Sequence, residues 1–199
     1  MLAIDVVDVL LRVGGNAGAR LLQQLVPLAG EPLDLVNDDV GTHLGHIQLG
    51  LHIPQLHMRT HHFFGTIGRA ENQELIRYLG LNVRSLGELE HERFDRLAMV
   101  DAQPGAGNVT FDPTVRLDVV IDHHPIRRET RSARFTDIRS RYGATSTILH
   151  EYLREAAIVI SAPLATALVY GIRSDTQDLG RETTRNDIEA FLALYPSAN

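Results

Sequence analysis

The stretch Leu117-Asp118-Val119-Val120-Ile121-Asp122-His123-His124-Pro125 constrains this chain more than any other. A short β-branched run free of turn residues reads as a buried strand of the kind found in parallel sheets. The run stops on a carboxylate and two imidazoles, and Pro125, lacking an amide proton, ends the ladder. In open α/β sheets the carboxyl ends of the strands are where ligands and metals gather. Three adjacent metal-capable side chains are costly to place there for packing alone. A hydrated loop after a strand explains one histidine; Asp-His-His directly after a buried strand points to a site.

A second apolar run, Phe94 to Val100, ends on Asp101, 21 residues before Asp122. If both runs are strands of one parallel sheet, both carboxylates open on the same side. The intervening Gln103-Pro104-Gly105-Ala106-Gly107-Asn108 is a loop by composition. Arg127, Arg128, Arg131 and Arg134 then form a polar connection, readable as a solvated loop or as phosphate contacts. Arg141-Tyr142-Gly143-Ala144-Thr145-Ser146-Thr147 opens a helix with Ile148, Leu149, Tyr152, Leu153 and Ala156 on its core face. Small hydroxyl residues at a helix start suit capping, and equally suit anion binding by free backbone N–H groups. Pro163 begins another helix, with Leu164, Leu168 and Val169. It leads to Gly171-Ile172-Arg173-Ser174-Asp175-Thr176, so that Asp175, beyond the helix, can reach the same sheet edge. Thr184, with Asp187 three residues on, starts a last helix through a capping-box variant. Its face is expected to be Ile188, Phe191, Leu192 and Tyr195, and Pro196 ends it.

The first third is harder to read. Gly65 to Asn72 gives way to a helix with Leu75, Ile76 and Leu79 on one face, closed at Gly80. Residues 2–26 have helical apolar spacing, interrupted at Gly14-Gly15. From 27 to 64 the apolar residues follow neither period for long, so this segment is expected to pack poorly. Within it, Leu33-Asp34-Leu35-Val36 before Asn37-Asp38-Asp39 weakly suggests a strand ending in carboxylates.

Composition removes several chemistries. Cysteine is absent, which excludes disulfides, thiolate zinc sites and a thiol nucleophile. All 19 basic residues are arginine, which excludes a lysine Schiff base and a Walker lysine. A net charge of −6 provides no global basic field, so a polyanionic substrate has to be held locally, by a metal or by arginines. The uncharged run Ala156 to Ile172, broken by Ser161 and Pro163, is short for a membrane span and reads as a turn and a buried helix. With Asp5 and Asp8 and no basic leader, a cytoplasmic location is expected. Carboxylates with neutral imidazole form a ligand set for Mn²⁺ or a comparable divalent cation. With a phosphate held opposite, the chemistry is metal-assisted phosphoester hydrolysis, in which the cation acidifies a water and offsets phosphate charge.

Four motifs, in order, carry a resemblance: Val100-Asp101 with Gln103 to Asn108, Asp122-His123-His124-Pro125, Gly143 to Thr147, and Gly171 to Thr176. Together they resemble the DHH phosphoesterase superfamily, most of all its branch of oligoribonucleases (nano-RNases) and 3′-phosphoadenosine 5′-phosphate phosphatases. The match runs from Gly65 to Tyr195. The resemblance implies an α/β fold, a mostly parallel, Rossmann-like sheet flanked by helices. A DHH catalytic domain would occupy 65–199, with 1–64 as a poorly matching N-terminal segment of the same domain. It implies two manganese ions bridged by Asp101, with His123 and Asp175 ligating one of them. His124 would contact the scissile phosphate, Asp122 would orient the histidines, and Gly143, Ala144, Thr145 and Ser146 would receive substrate phosphate. Implied partners are short RNA or DNA oligonucleotides or nucleotide phosphates and a second copy in a homodimer, with no membrane.

Two family features have no counterpart. The first family motif, His-x-Asn-Pro-Asp-x-Asp, is not matched between Met1 and Phe64, and the chain reaches Asn199 where a substrate-binding domain is expected to begin. With only the Asp101, His123 and Asp175 ligands matched, weak manganese binding and slow turnover are expected. The rival reading is a non-catalytic nucleotide- or phosphate-binding remnant, binding one manganese or none instead of two. A metal-free Rossmann-like dehydrogenase is disfavoured, because no Gly-x-Gly-x-x-Gly follows a strand.

Overall fold

A computed structural model describes residues 61–63, 69–81, 83–85, 98–106 and 117–199. In chain order its elements are β1 (His61–Phe63), α1 (Ala70–Leu79), β2 (Val83–Ser85), β3 (Ala98–Val100), β4 (Val119–Asp122), β5 (Phe135–Ile138), α2 (Thr145–Glu155), α3 (Ala162–Thr176) and α4 (Arg185–Leu194). β1 and β2 form a parallel pair. A second sheet has the order β3-β4-β5, parallel throughout. The fold class is α/β, a parallel sheet flanked by helices, as expected.

β4 holds the centre of its sheet because all four of its residues are apolar or satisfied, and all four are buried. Val100 pairs with Ile121, and the Asp101 amide donates to the Ile121 carbonyl at 3.0 Å. The two strands therefore stop at one level, with Asp101 beside Asp122. On its other side β4 pairs with β5, Asp122 opposite Ile138.

Helix α3 organises the layer beside the sheet. It carries no charge before Arg173, and Leu164, Ala165, Leu168, Val169, Ile172 and Thr176 are buried over a wide arc. A helix apolar over so much of its circumference needs neighbours on several sides, and α3 packs against α1, α2 and α4. Ile148, Leu149 and Leu153 of α2 meet it, and Val100, Val119 and Ile121 complete the same core from the sheet. Each such side chain contributes roughly 1.5–3 kcal/mol on burial. Gly171 makes the α2–α3 approach possible: a Cβ there would lie 2.1 Å from Ser146 Oγ. Helix α1 closes at Gly80 in the left-handed region (φ +63°), where the Gly80 and Leu81 amides donate to the Arg77 and Ile76 carbonyls.

Several expectations are corrected. Asp175 lies within the last turn of α3, because the uncharged run from Ala162 continues as one helix through Thr176. The polar connection after Pro125 holds a further strand, β5. Its Phe-Thr-Asp-Ile lacks an apolar run, and Asp137 is tolerated there because Arg139 donates to both of its oxygens at 2.8–3.0 Å. The face expected for α4 holds for Phe191, which packs against the core, but not for its other members. Its buried residues are Asp187, Ala190 and Leu194, while Ile188, Leu192 and Tyr195 are 43%, 64% and 59% exposed. Asp187 turns inward to serve tertiary donors, so the helix buries Ala190 and Leu194 on that side and leaves Ile188 and Leu192 toward solvent. The hydroxyls opening α2 do not cap it, since Ala144 is its N-cap and no side chain caps it. Of 27–64 only the short strand His61–Phe63 is described, so the expectation that this segment packs poorly lies outside the described residues. The remaining readings on 1–60, 64–68, 94–97 and 107–108 lie outside the described residues. Among the described residues no helix is long and apolar enough to cross a membrane.

The α4 correction is directly measurable. Leu194→Ala should cost about 2–4 kcal/mol by opening a cavity, and Leu192→Ala less than about 0.5 kcal/mol. Urea denaturation of both variants checks this; equal losses would restore the face expected from periodicity.

Candidate metal centre

The carboxyl ends of β3 and β4 bring Asp101 beside His123, and the last turn of α3 brings Asp175 to the same place. His123 Nε2 lies 3.5 Å from Asp101 Oδ1 and 3.9 Å from Asp175 Oδ2. All three side chains are about nine-tenths buried. The expected convergence of Asp101, His123 and Asp175 at one edge is therefore the arrangement found.

The protonation of His123 follows from its other nitrogen. Nδ1 lies 3.1 Å from the carbonyl oxygen of Tyr142, which can only accept, so Nδ1 carries the proton. In the neutral ring Nε2 then presents a lone pair. That atom is buried and, among the described residues, has no hydrogen-bond partner. It faces two carboxylates that are themselves acceptors. A buried imidazole lone pair facing two carboxylates, all of them donors to a metal, fits a cation better than the groups fit each other.

The carboxylates show the strain of this arrangement. Burial raises the Asp101 pKa above its ordinary value, against the opposing effect of the Thr145 hydrogen bond. Asp175 is pushed up to about 7, first by burial and then by the charge of Asp101. Asp101 also takes a backbone conformation unusual for a non-glycine residue, with φ +56°. Such a residue costs on the order of 1 kcal/mol and persists where its surroundings hold it, as they do at functional sites.

Asp122 and His124 form a second unit beside the first. His124 donates from Nδ1 to Asp122 Oδ1 at 2.8 Å, and its amide donates to the same oxygen at 3.2 Å. Burial pulls the His124 pKa down, but the hydrogen bond and charge of Asp122 outweigh it, leaving it above its usual value. Asp122 is 1% exposed, whereas the His124 side chain is 44% exposed. One ligand atom from each of Asp101, Asp122, His123 and His124 falls within 4.8 Å of the others. Both oxygens of Asp122 are already engaged, however, so Asp101, His123 and Asp175 remain the better ligand set.

Gly143, Ala144, Thr145 and Ser146 are all buried. The Gly143 amide donates to Asp187 Oδ2 at 2.9 Å. Thr145 donates its hydroxyl to Asp101 Oδ1 at 2.8 Å and accepts the His123 amide at 3.2 Å. Thr145 thus ties the start of α2 to both strand ends. Sequence reasoning missed three residues that shape the site. Gln103 donates to Asp122 Oδ2 at 2.6 Å. Tyr142 acts through its backbone carbonyl, which no sequence pattern marks. Asp187, fully buried, accepts from Gly143, Thr147 and Thr184. Its capping-box position was legible, but its reach to α2 was not.

No family model matches the chain. An uncharacterized protein of Methanocaldococcus jannaschii is 36% identical over 137 residues, which is 68% of this chain and 28% of that protein. The crystal structure of a Methanococcus jannaschii protein assigned to the family II inorganic pyrophosphatases aligns with a TM-score of 0.53 at 24% identity. The alignment covers 64% of this chain and 44% of that one. The two share a fold. The chain spans less than half the length of either protein it matches.

Asp175 gives a test that needs no turnover. Its folded-state pKa of about 7 lies above the 3.8 of an unfolded chain. Between these values the unfolded chain has released the proton while the native protein keeps it, so metal-free stability falls as pH rises from about 4 to 7 and then levels off. Asp175→Asn should therefore raise metal-free stability at pH 8 by roughly 2–4 kcal/mol and change little at pH 4. Thermal denaturation in a chelator at both pH values checks this, and an equal effect at both would show that Asp175 is not held protonated.

Proposed function

We propose that this chain carries the catalytic site of a DHH-type, metal-dependent phosphoesterase that hydrolyses short oligonucleotides or nucleotide phosphates, with manganese as its cation. One observation carries the reading: the buried, unpartnered Nε2 of His123 turned toward Asp101 and Asp175. The four sequence motifs supply the family, and the likeness in fold to a protein assigned as a pyrophosphatase is compatible with it.

In this reading Asp101, His123 and Asp175 would hold a manganese ion. The cation supplies positive charge against the phosphate and acidifies a water. The protein's own groups do the rest. Tyr142 fixes the His123 tautomer by accepting from Nδ1, so that Nε2 is the ligating atom. Thr145 holds Asp101 against rotation. Asp122 accepts from His124 Nδ1, so that His124 Nε2 is the atom offered to a phosphate oxygen. The raised pKa of His124 favours its donating form there. The substrate is a local anion drawn in against a net charge of −6, which suits short substrates better than long polyanions.

The test is release of nucleotide or phosphate by the full chain, with and without Mn²⁺. The panel is a short oligoribonucleotide, a nucleoside 3′,5′-bisphosphate and inorganic pyrophosphate. We expect slow, manganese-dependent hydrolysis of the first or second, lowered by at least about 100-fold in His123→Ala. Pyrophosphate as the sole substrate would move the assignment to the chemistry named for the fold neighbour. Saturable nucleotide binding with no manganese-dependent turnover on any of the three would favour the binding-only remnant.

A further inference from the structure

Gln103 lies two residues beyond Asp101 and is 1% exposed, and every polar atom of its side chain is used. Nε2 donates to Asp122 Oδ2 at 2.6 Å, and also faces the carbonyls of His124 at 3.3 Å and Pro125 at 3.2 Å. Oε1 accepts from the Arg127 amide at 2.9 Å and the Thr130 hydroxyl at 2.8 Å. The amide has only one workable orientation. Turned over, its oxygen would face a carboxylate and two carbonyls, and its NH₂ would face an N–H. A buried amide satisfied on both sides is rigid, and its removal leaves several buried groups without partners.

We infer that Gln103 is a positioning residue that commits Asp122 to His124. The Asp122 carboxylate has two oxygens and stands within ligand distance of the metal cluster. Gln103 occupies Oδ2, which leaves Oδ1 for the ring and amide of His124. Asp122 is thereby withheld from the cation, the His124 ring is held by Nδ1, and Nε2 is presented. The same side chain ties the loop after Asp101 to the end of β4 and to Thr130. The spacing between the cation-holding group and the phosphate-facing histidine is then set by one amide. This rests on the proposed function for its consequence in catalysis, but the hydrogen-bonded relay is a property of the fold and can be tested without turnover.

The experiment uses the full chain with Gln103→Met, which keeps the length without the polarity, and Gln103→Asn, a milder change that keeps an amide too short to span the gap. The direct readout is ¹⁵N NMR of the histidine rings without metal. At a pH high enough for the ring to be neutral, wild-type His124 should show a single Nδ1–H tautomer. In both variants that form should give way to mixed tautomers, while His123, held by Tyr142, is unchanged. In turnover assays kcat should fall about 10–100-fold with the apparent manganese affinity within about threefold. On a His124→Ala background the Gln103 change should alter kcat by less than about twofold, since a relay cannot be broken twice. An unaltered His124 ring spectrum in the folded variants would overturn the inference, as would a full additive loss on the His124→Ala background. If wild-type protein turns over none of the substrates, the proposed function fails while the ring spectra still decide the role of Gln103.

Discussion

Val100 lies opposite Ile121, and the hydrogen bond from the Asp101 amide to the Ile121 carbonyl carries the parallel ladder one residue past the end of β3. Everything at the site depends on that register. Side chains alternate along a strand, so a slip of one residue would turn Asp101 to the other face of the sheet and away from His123. Parallel strands also demand that both carboxyl ends open on the same side, which is where the start of α2 and the end of α3 arrive. Thr145 then joins the two strand ends through one hydroxyl, donating to Asp101 and accepting from His123. The position of the metal-capable groups thus follows from backbone pairing before any side chain is considered.

The groups so placed oppose one another without a cation. Asp101 and Asp175 are both pushed toward the protonated form by burial, and the His123 lone pair points at them. A protein selected only for stability would replace one of the three with an apolar residue, since buried like charges cost several kcal/mol and gain nothing. Local conflict of this kind is characteristic of functional sites. The neighbouring groups are, by contrast, fully satisfied. Asp122, Gln103 and Asp187 are buried with their partners in place. The site is a well-bonded frame around three groups whose chemistry suits a cation.

The helical layer supports that frame. α3 can lie close enough to α2 to deliver Asp175 only because Gly171 leaves room for Ser146. Asp187 fastens α4 to the start of α2, accepting from Gly143 at one end and from Thr184 at the other. A Cβ on Gly143 would fall 2.8 Å from Asp187 Oδ2, so this junction also depends on a residue without a side chain. The consequence is that α4 turns a polar residue inward and leaves Ile188, Leu192 and Tyr195 outside. Periodicity alone reads such a helix backwards, since it assumes that the apolar stripe is the buried one.

The sequence by itself determined the class of fold, the buried strand ending in Asp122-His123-His124, the second strand end at Asp101 and the helices begun by Thr145, Pro163 and Thr184. These are local matters: a β-branched run, a proline at a helix start and a capping box act within a few residues of themselves. It also pointed to Asp101, His123 and Asp175 as one group, because two of them end apolar strands. Only the tertiary structure decided that β5 joins the sheet, since Phe135-Thr136-Asp137-Ile138 has no strand pattern and Asp137 is made tolerable by Arg139. Only it gave the segment from Gly143 to Ser146 its buried contacts and turned α4 about its axis. Gln103, the Tyr142 carbonyl and Asp187 act across 19 to 44 residues of chain. Hydrogen bonds over such separations leave no periodicity behind them, because what they require is a donor and an acceptor brought together by packing elsewhere.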